Sequence, residues 1–223
     1  ALSADGRWVA TASDDKTVAL WRADSAERLH VLRGMSGPGA QGRMYGVAFH
    51  PQQDLVAIGG TGAEAVAGTR ATVQLHAAGS GEFVRAIDAG RGEIKRLAWS
   101  GDGRWLLAAF AAPGAVRVYS VEGRLVAEAP LRGDAYGLAV QGRGAVAATD
   151  TAGALHLFEL GSDGRLEPQA RTDLGGTPVA VAFAPAGERL AVVHFDPARQ
   201  GTVTLVDARG GAVLGTWRAP RLT

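Results

Sequence analysis

The chain has 223 residues, 47% of them hydrophobic and 20% charged, with a formal net charge of +1 and no cysteine. This composition suits a cored globular protein, and it excludes a disulfide framework and thiolate chemistry. The near-zero charge offers no bulk field for nucleic acid or an anionic membrane, and no apolar run is long enough to span a bilayer.

The chain opens with "ALSADGRW", and "AWSGDGRW" returns at residues 98 to 105. Asp-Gly is turn chemistry, and in both copies a Trp follows it at the same offset. Three weaker copies, "AFHPQQDL", "AVQGRGAV" and "AFAPAGERL", complete a series anchored at Leu2, Phe49, Trp99, Val140 and Phe183, with spacings of 47, 50, 41 and 43 residues. Such fixed-period similarity marks a repeat architecture. Within each unit an apolar stretch ends at the anchor, as in "MYGVAF", "IKRLAW", "AYGLAV" and "PVAVAF". A Gly- or Pro-containing turn then leads to a second apolar run: "WVATAS", "LVAIGG", "WLLAAF", "AVAAT", "RLAVVHF". A third run alternates, as "TVALW", "TVQLH", "AVRVY", "ALHLF" and "TVTLV". Period-2 alternation predicts strands buried more on one face than on the other. A fourth, more charged run ("ERLHVL", "EFVRAI", "RLVAEA", "RLEPQARTDL", "AVLGTW") suits an exposed edge strand. Helical periodicity is absent. Four short strands per unit predict an all-β fold, a β-propeller of five consecutive four-stranded blades with the first incomplete. Their approximate extents are 1–33, 43–90, 93–132, 134–175 and 177–219. The anchors should sit on innermost strands and be mostly buried.

These residues carry a family resemblance. "LSADGRWVATASDDKTVALW" resembles a WD-repeat unit, and the period extends the resemblance over nearly the whole chain. No third strand here ends in Trp-Asp, the Gly-His pair that precedes the inner strand in that family is missing, and only the first unit keeps the turn Asp, Asp15. The family's His–Asp–Ser–Trp network is therefore expected to be incomplete in every blade, with stability resting on apolar packing between blades. The succession of units is also similar to the WD-repeat modules of large bacterial proteins, where such repeats follow a caspase-like protease or another signalling domain. The resemblance implies a non-catalytic scaffold or sensor module, cytoplasmic, in a multidomain bacterial signalling or defence protein. Its partner would be a protein or another domain of the same protein. An arc of five blades would leave two apolar blade faces wet at about 25 cal/mol per Å², so further blades are expected to cover them, from the same chain or another.

Because strand direction alternates within a blade, one end of the ring collects the short turns. The other end collects the long connections 33–43 and 60–70, whose Gly and Ala content predicts that they order only against a partner. That second end is the expected partner-binding surface. Its candidate residues are Arg43 and Arg70 at the loop ends, with Tyr45, Lys95 and Tyr136 at equivalent positions near the starts of successive inner strands, where they should ring the channel mouth. Tyr and Arg are enriched in interface hot spots.

No catalytic, cofactor or metal residues are assigned. His30, His50, His76, His156 and His194 are scattered without ligand spacing. Ser36 in "GMSGPG" lies in no nucleophile elbow, and "GGTGAEAVAGTR" lacks the Gly-Lys-Ser/Thr of a phosphate loop. The five Trp fall at strand positions and read as packing. Two other functions stay open at this point: an enzyme or small-ligand binder using the central channel, and a structural spacer.

Overall fold

The fold is described from a computed structural model, in which residues 1–34, 37–65, 68–142 and 144–219 are described. They contain twenty strands and no helix, and all sheet pairings are antiparallel.

The first sheet holds β1 (Trp8–Ala12), β2 (Thr17–Arg22) and β3 (Arg28–Arg33), with a single bridge from Leu2 to Val9 in the inner-strand place. The second runs β4 (Met44–Phe49), β5 (Leu55–Gly60), β6 (Ala63–Ala65), β7 (Gly68–Ala77) and β8 (Phe83–Arg91). The third is β9 (Glu93–Trp99), β10 (Trp105–Ala111), β11 (Ala115–Ser120) and β12 (Leu125–Pro130). The fourth is β13 (Ala135–Gln141), β14 (Ala145–Asp150), β15 (Ala154–Leu160) and β16 (Leu166–Asp173). The fifth is β17 (Thr177–Phe183), β18 (Arg189–Phe195), β19 (Gly201–Asp207) and β20 (Val213–Arg218).

The duplicated octapeptide builds the same turn twice. In the first copy the Ser3 hydroxyl donates to Asp5 at 2.6 Å, Asp5 accepts the Arg7 amide, and the Ser3 oxygen accepts the Trp8 amide. In the second, Ser100, Asp102, Arg104 and Trp105 repeat each bond. Gly6 and Gly103 supply the left-handed residue that both turns need, at φ 71° and 73°.

The core lies between sheets rather than within one. Four apolar clusters occupy the four junctions of consecutive blades: Val18 and Leu20 meet Val56 and Ile58, Val73 and Leu75 meet Ile94 and Leu97, Val116 and Val118 meet Val146, and Leu155 and Leu157 meet Val192. The third-strand alternation explains this placement. Its second and fourth residues face the next blade, and its third and fifth face the previous one. Val18, Val73, Val116 and Leu155 are each 0% exposed, whereas Val203 at the same place in the fifth blade is 38% exposed. Val193, Phe195 and Trp217 share its open face. At the other end Val9 is half-buried, while its counterparts Val56, Leu106 and Leu190 are fully covered. The arc is open, with one uncovered blade face at each end.

Two expectations need correction. Of the anchors only Trp99 is buried; Phe49, Val140 and Phe183 are half-buried and Leu2 is exposed. Phe49, Val140 and Phe183 lie at or next to the ends of inner strands that are paired on one side only within their sheets, and Leu2 makes a single bridge rather than a strand. The connection 60–70 is not an irregular loop either. Ala63 to Ala65 pair with Gly68 to Arg70, and Arg70 pairs onward with Arg91, so blade two rises above its neighbours as a hairpin. The glycines serve close backbone approach: a Cβ at Gly60 would lie 1.8 Å from the Arg43 carbonyl oxygen, and one at Gly62 1.5 Å from that of Arg70.

Of the expected incomplete network, the first blade keeps one link, the Trp21 indole N–H donating to the Thr11 hydroxyl at 3.0 Å. The fourth adds a pair that the repeat pattern does not suggest: His156 Nε2 lies 2.9 Å from the buried carboxylate of Asp150, which also accepts the Ala154 amide.

Candidate partner-binding site

Every complete inner strand carries one extra residue at the same end. Pairing skips from Met44 to Gly46, from Ile94 to Arg96, from Ala135 to Gly137 and from Pro178 to Ala180. The residues left out of the ladder are Tyr45, Lys95, Tyr136 and Val179. A β-bulge re-aims the side chain that it frees, and here four successive bulges do so in register at the channel mouth.

Three of these side chains meet. The Lys95 ammonium lies 4.4 Å from the Tyr45 ring centroid and 5.7 Å from that of Tyr136. It donates to Glu93 at 2.6 Å, and its side chain is 13% exposed. Read alone, Glu93 in "RGEIKR" is no more than a charge that interrupts a basic run. The signal for its role is its place two residues before the bulge, on the same strand and on the side of Lys95.

The two arginines stand apart from this cluster. The Arg43 guanidinium is 3.8 Å from Asp14, on the turn between β1 and β2. Arg70 pairs with Asp88, whose carboxyl is held below its ordinary value first by the Gly90 amide and then by Arg70. Both arginines are thus spoken for by acids, Asp14 on a turn and Asp88 on a neighbouring strand, although both remain partly exposed. The two long connections touch where their described residues meet: the Gly42 amide donates to the Thr61 carbonyl at 2.8 Å, and the Thr61 amide to that of Arg43 at 2.9 Å. Ser36, and residues 66 and 67 of the second connection, lie outside the described residues.

The histidines are engaged in backbone and ladder contacts. His30 and His50 each bond a glycine carbonyl of the following blade, at Gly79 and Gly103, both at 3.0 Å. His76 bonds Gly81, and His194 lies 2.9 Å from the Thr204 hydroxyl. Burial lowers the pKa of His50, His76 and His194. Among the described residues, no three of His, Asp and Glu converge as metal ligands would.

The family model described as "WD domain, G-beta repeat" matches residues 1–22. No curated protein matches the chain. The first sheet carries that repeat, and the four antiparallel sheets that follow repeat its construction, an architecture consistent with the blades of a WD-type β-propeller.

Proposed function

We propose that this segment is a non-catalytic protein-interaction scaffold whose partners dock on the end that carries the bulges and the long connections. The observation that carries this reading is the register of the four bulges, which gathers Tyr45, Lys95 and Tyr136 on one surface. An aromatic and basic patch of this kind has hot-spot composition. The opposite end offers short turns spent on their own hydrogen bonds. On the same reading the segment is the scaffold or sensor part of a multidomain, cytoplasmic bacterial signalling or defence protein. Further blades cover the free faces at Val9 and Val203. The exposure of Val203, where four equivalent residues are sealed, supports that last point.

The test compares two triple variants of the tagged chain in capture from lysate of the source cells, followed by mass spectrometry. Changing Arg43, Tyr45 and Arg70 to Ala should remove proteins that the wild type retains. Changing Arg7, Glu122 and Arg209 to Ala on the opposite end should not. The reverse pattern would place the docking surface on the other end.

A further inference from the structure

We propose that the mouth cluster is a cation cage which the chain fills with its own Lys95, and that a partner engages it by exchanging an arginine or lysine side chain for Lys95. This rests on the docking end assigned above and names the chemistry recognised there. Two aromatic faces and a carboxylate are the groups that recognise a cation. Tyr45, Tyr136 and Glu93 supply them around one point, and that point is occupied by the Lys95 ammonium. The cage opens to solvent: Tyr136 is exposed, and 29% of the Glu93 side chain is accessible.

An acidic ligand fits the same place poorly. The ammonium already has its counterion at 2.6 Å, and Glu93 would repel a second carboxylate. A basic side chain would inherit both the π faces and Glu93 once Lys95 withdraws. Withdrawal is simple for this residue. Rotation about its side-chain torsions leaves the backbone ladder untouched, and its four-carbon stem can carry the head into water. The residue type fits too. The chain has two lysines, Lys16 and Lys95, among basic residues that are otherwise arginines. An arginine at 95 would lock onto Glu93 through two parallel hydrogen bonds, whereas a lysine holds as a single rotatable charge.

The two lysines make exchange directly readable. Lys16 donates to the Gly37 carbonyl rather than to a cage residue, and serves as the internal reference. The probe is the peptide Gly-Gly-Arg-Gly-Gly, N-acetylated and amidated so that it has no amine, with Gly-Gly-Glu-Gly-Gly as its counterpart. The 223-residue chain is treated briefly with an amine-acylating N-hydroxysuccinimide ester and the two lysines are read by mass spectrometry. The arginine peptide should raise Lys95 acylation severalfold relative to Lys16, and the glutamate peptide should not. Lys95→Met empties the cage and should bind the arginine peptide about tenfold more tightly than wild type, because the competing internal cation is gone. Adding Glu93→Gln should cancel that gain. Lys95→Gln provides a second emptied cage should the Met variant fold poorly, and the acylation experiment needs no variant.

The proposal is overturned if the arginine peptide leaves Lys95 protected, if neither emptied cage binds it more tightly, or if the glutamate peptide binds and loses affinity when Lys95 is removed. The docking end is tested separately by the triple-variant capture. Loss of capture with the Arg43, Tyr45 and Arg70 set alongside a failed exchange would leave the end assigned and the cage rejected.

Discussion

Arg117 ties two blades together, and replacing it should be costly. It lies on β11 of the third blade and is 6% exposed. One terminal nitrogen donates to the carbonyls of Ala89 and Arg91 on β8 of the second blade, at 2.9 and 2.7 Å. Its Nε donates to Glu128 at 2.9 Å, and its guanidinium stands 4.2 Å from the Phe110 ring centroid. Tyr119 donates to the same Ala89 carbonyl at 2.8 Å. Burial pushes its phenol up to about 12, so it stays a donor at any pH the fold tolerates. Arg117→Met keeps most of the volume and removes the charge. Two hydrogen bonds from a charged donor are lost, at about 1.5–3 kcal/mol each. The contact over Phe110 adds roughly 1–2 kcal/mol. The Glu128 side chain is 40% exposed and rehydrates, so its share is discounted as for a surface pair. Ala89 keeps Tyr119, which places the total near the lower end of the sum, at about 3–5 kcal/mol, the range for breaking a buried charge network. Urea unfolding of wild type, Arg117→Met, Tyr119→Phe and the double variant measures this. The two single costs should not add, because both residues serve one carbonyl. A loss below about 1 kcal/mol for Arg117→Met would mean that this strut contributes no more than an ordinary surface position.

The remaining predictions concern blade faces and protons. Val116→Ala and Val203→Ala delete the same two methyl groups at equivalent positions. The first should cost about 1.5–3 kcal/mol in urea unfolding and the second under about 1; equal losses would show that the face at Val203 is covered in the chain as studied. The folded-state pKa values of His50, His76 and His194 lie below their ordinary 6.5 because burial disfavours the charged ring. Below that pH the unfolded chain takes up protons that the folded chain refuses, so stability is level above about pH 6.5 and falls as the pH drops through the window beneath it. Thermal melts from about pH 7.5 to about pH 5 should show a falling Tm, with a shallower fall in His76→Gln; a flat profile would contradict the burial of these rings.

Much of this fold is legible in the letters because the repeat is written in strand periodicity. "TVALW", "AVRVY" and "ALHLF" alternate with period two, and each folds as a third strand with its second and fourth residues toward the next blade. The duplicated Ser-x-Asp-Gly-Arg-Trp turn is likewise local, so its hydrogen bonds follow from its own residues. What stayed hidden depends on register between distant strands. A bulge is a mismatch of one residue between two strands, and neither strand alone reveals it. The convergence of Tyr45, Lys95 and Tyr136 could be placed by repeat position, but the Glu93 contact could not. The Asp88 pairing of Arg70 was hidden for the same reason, since it needs the 60–70 connection to continue the sheet as a hairpin rather than leave it as a loop.

The four bulge residues have a further consequence. Each stands outside the pairing that fixes its blade, so its identity is free of the demands of the ladder. Tyr45, Lys95, Tyr136 and Val179 therefore form a four-letter address on a frame that does not read it. Rewriting that address would change what the mouth greets without breaking a ladder pair, so a single arc of this construction could be re-addressed to new partners one letter at a time.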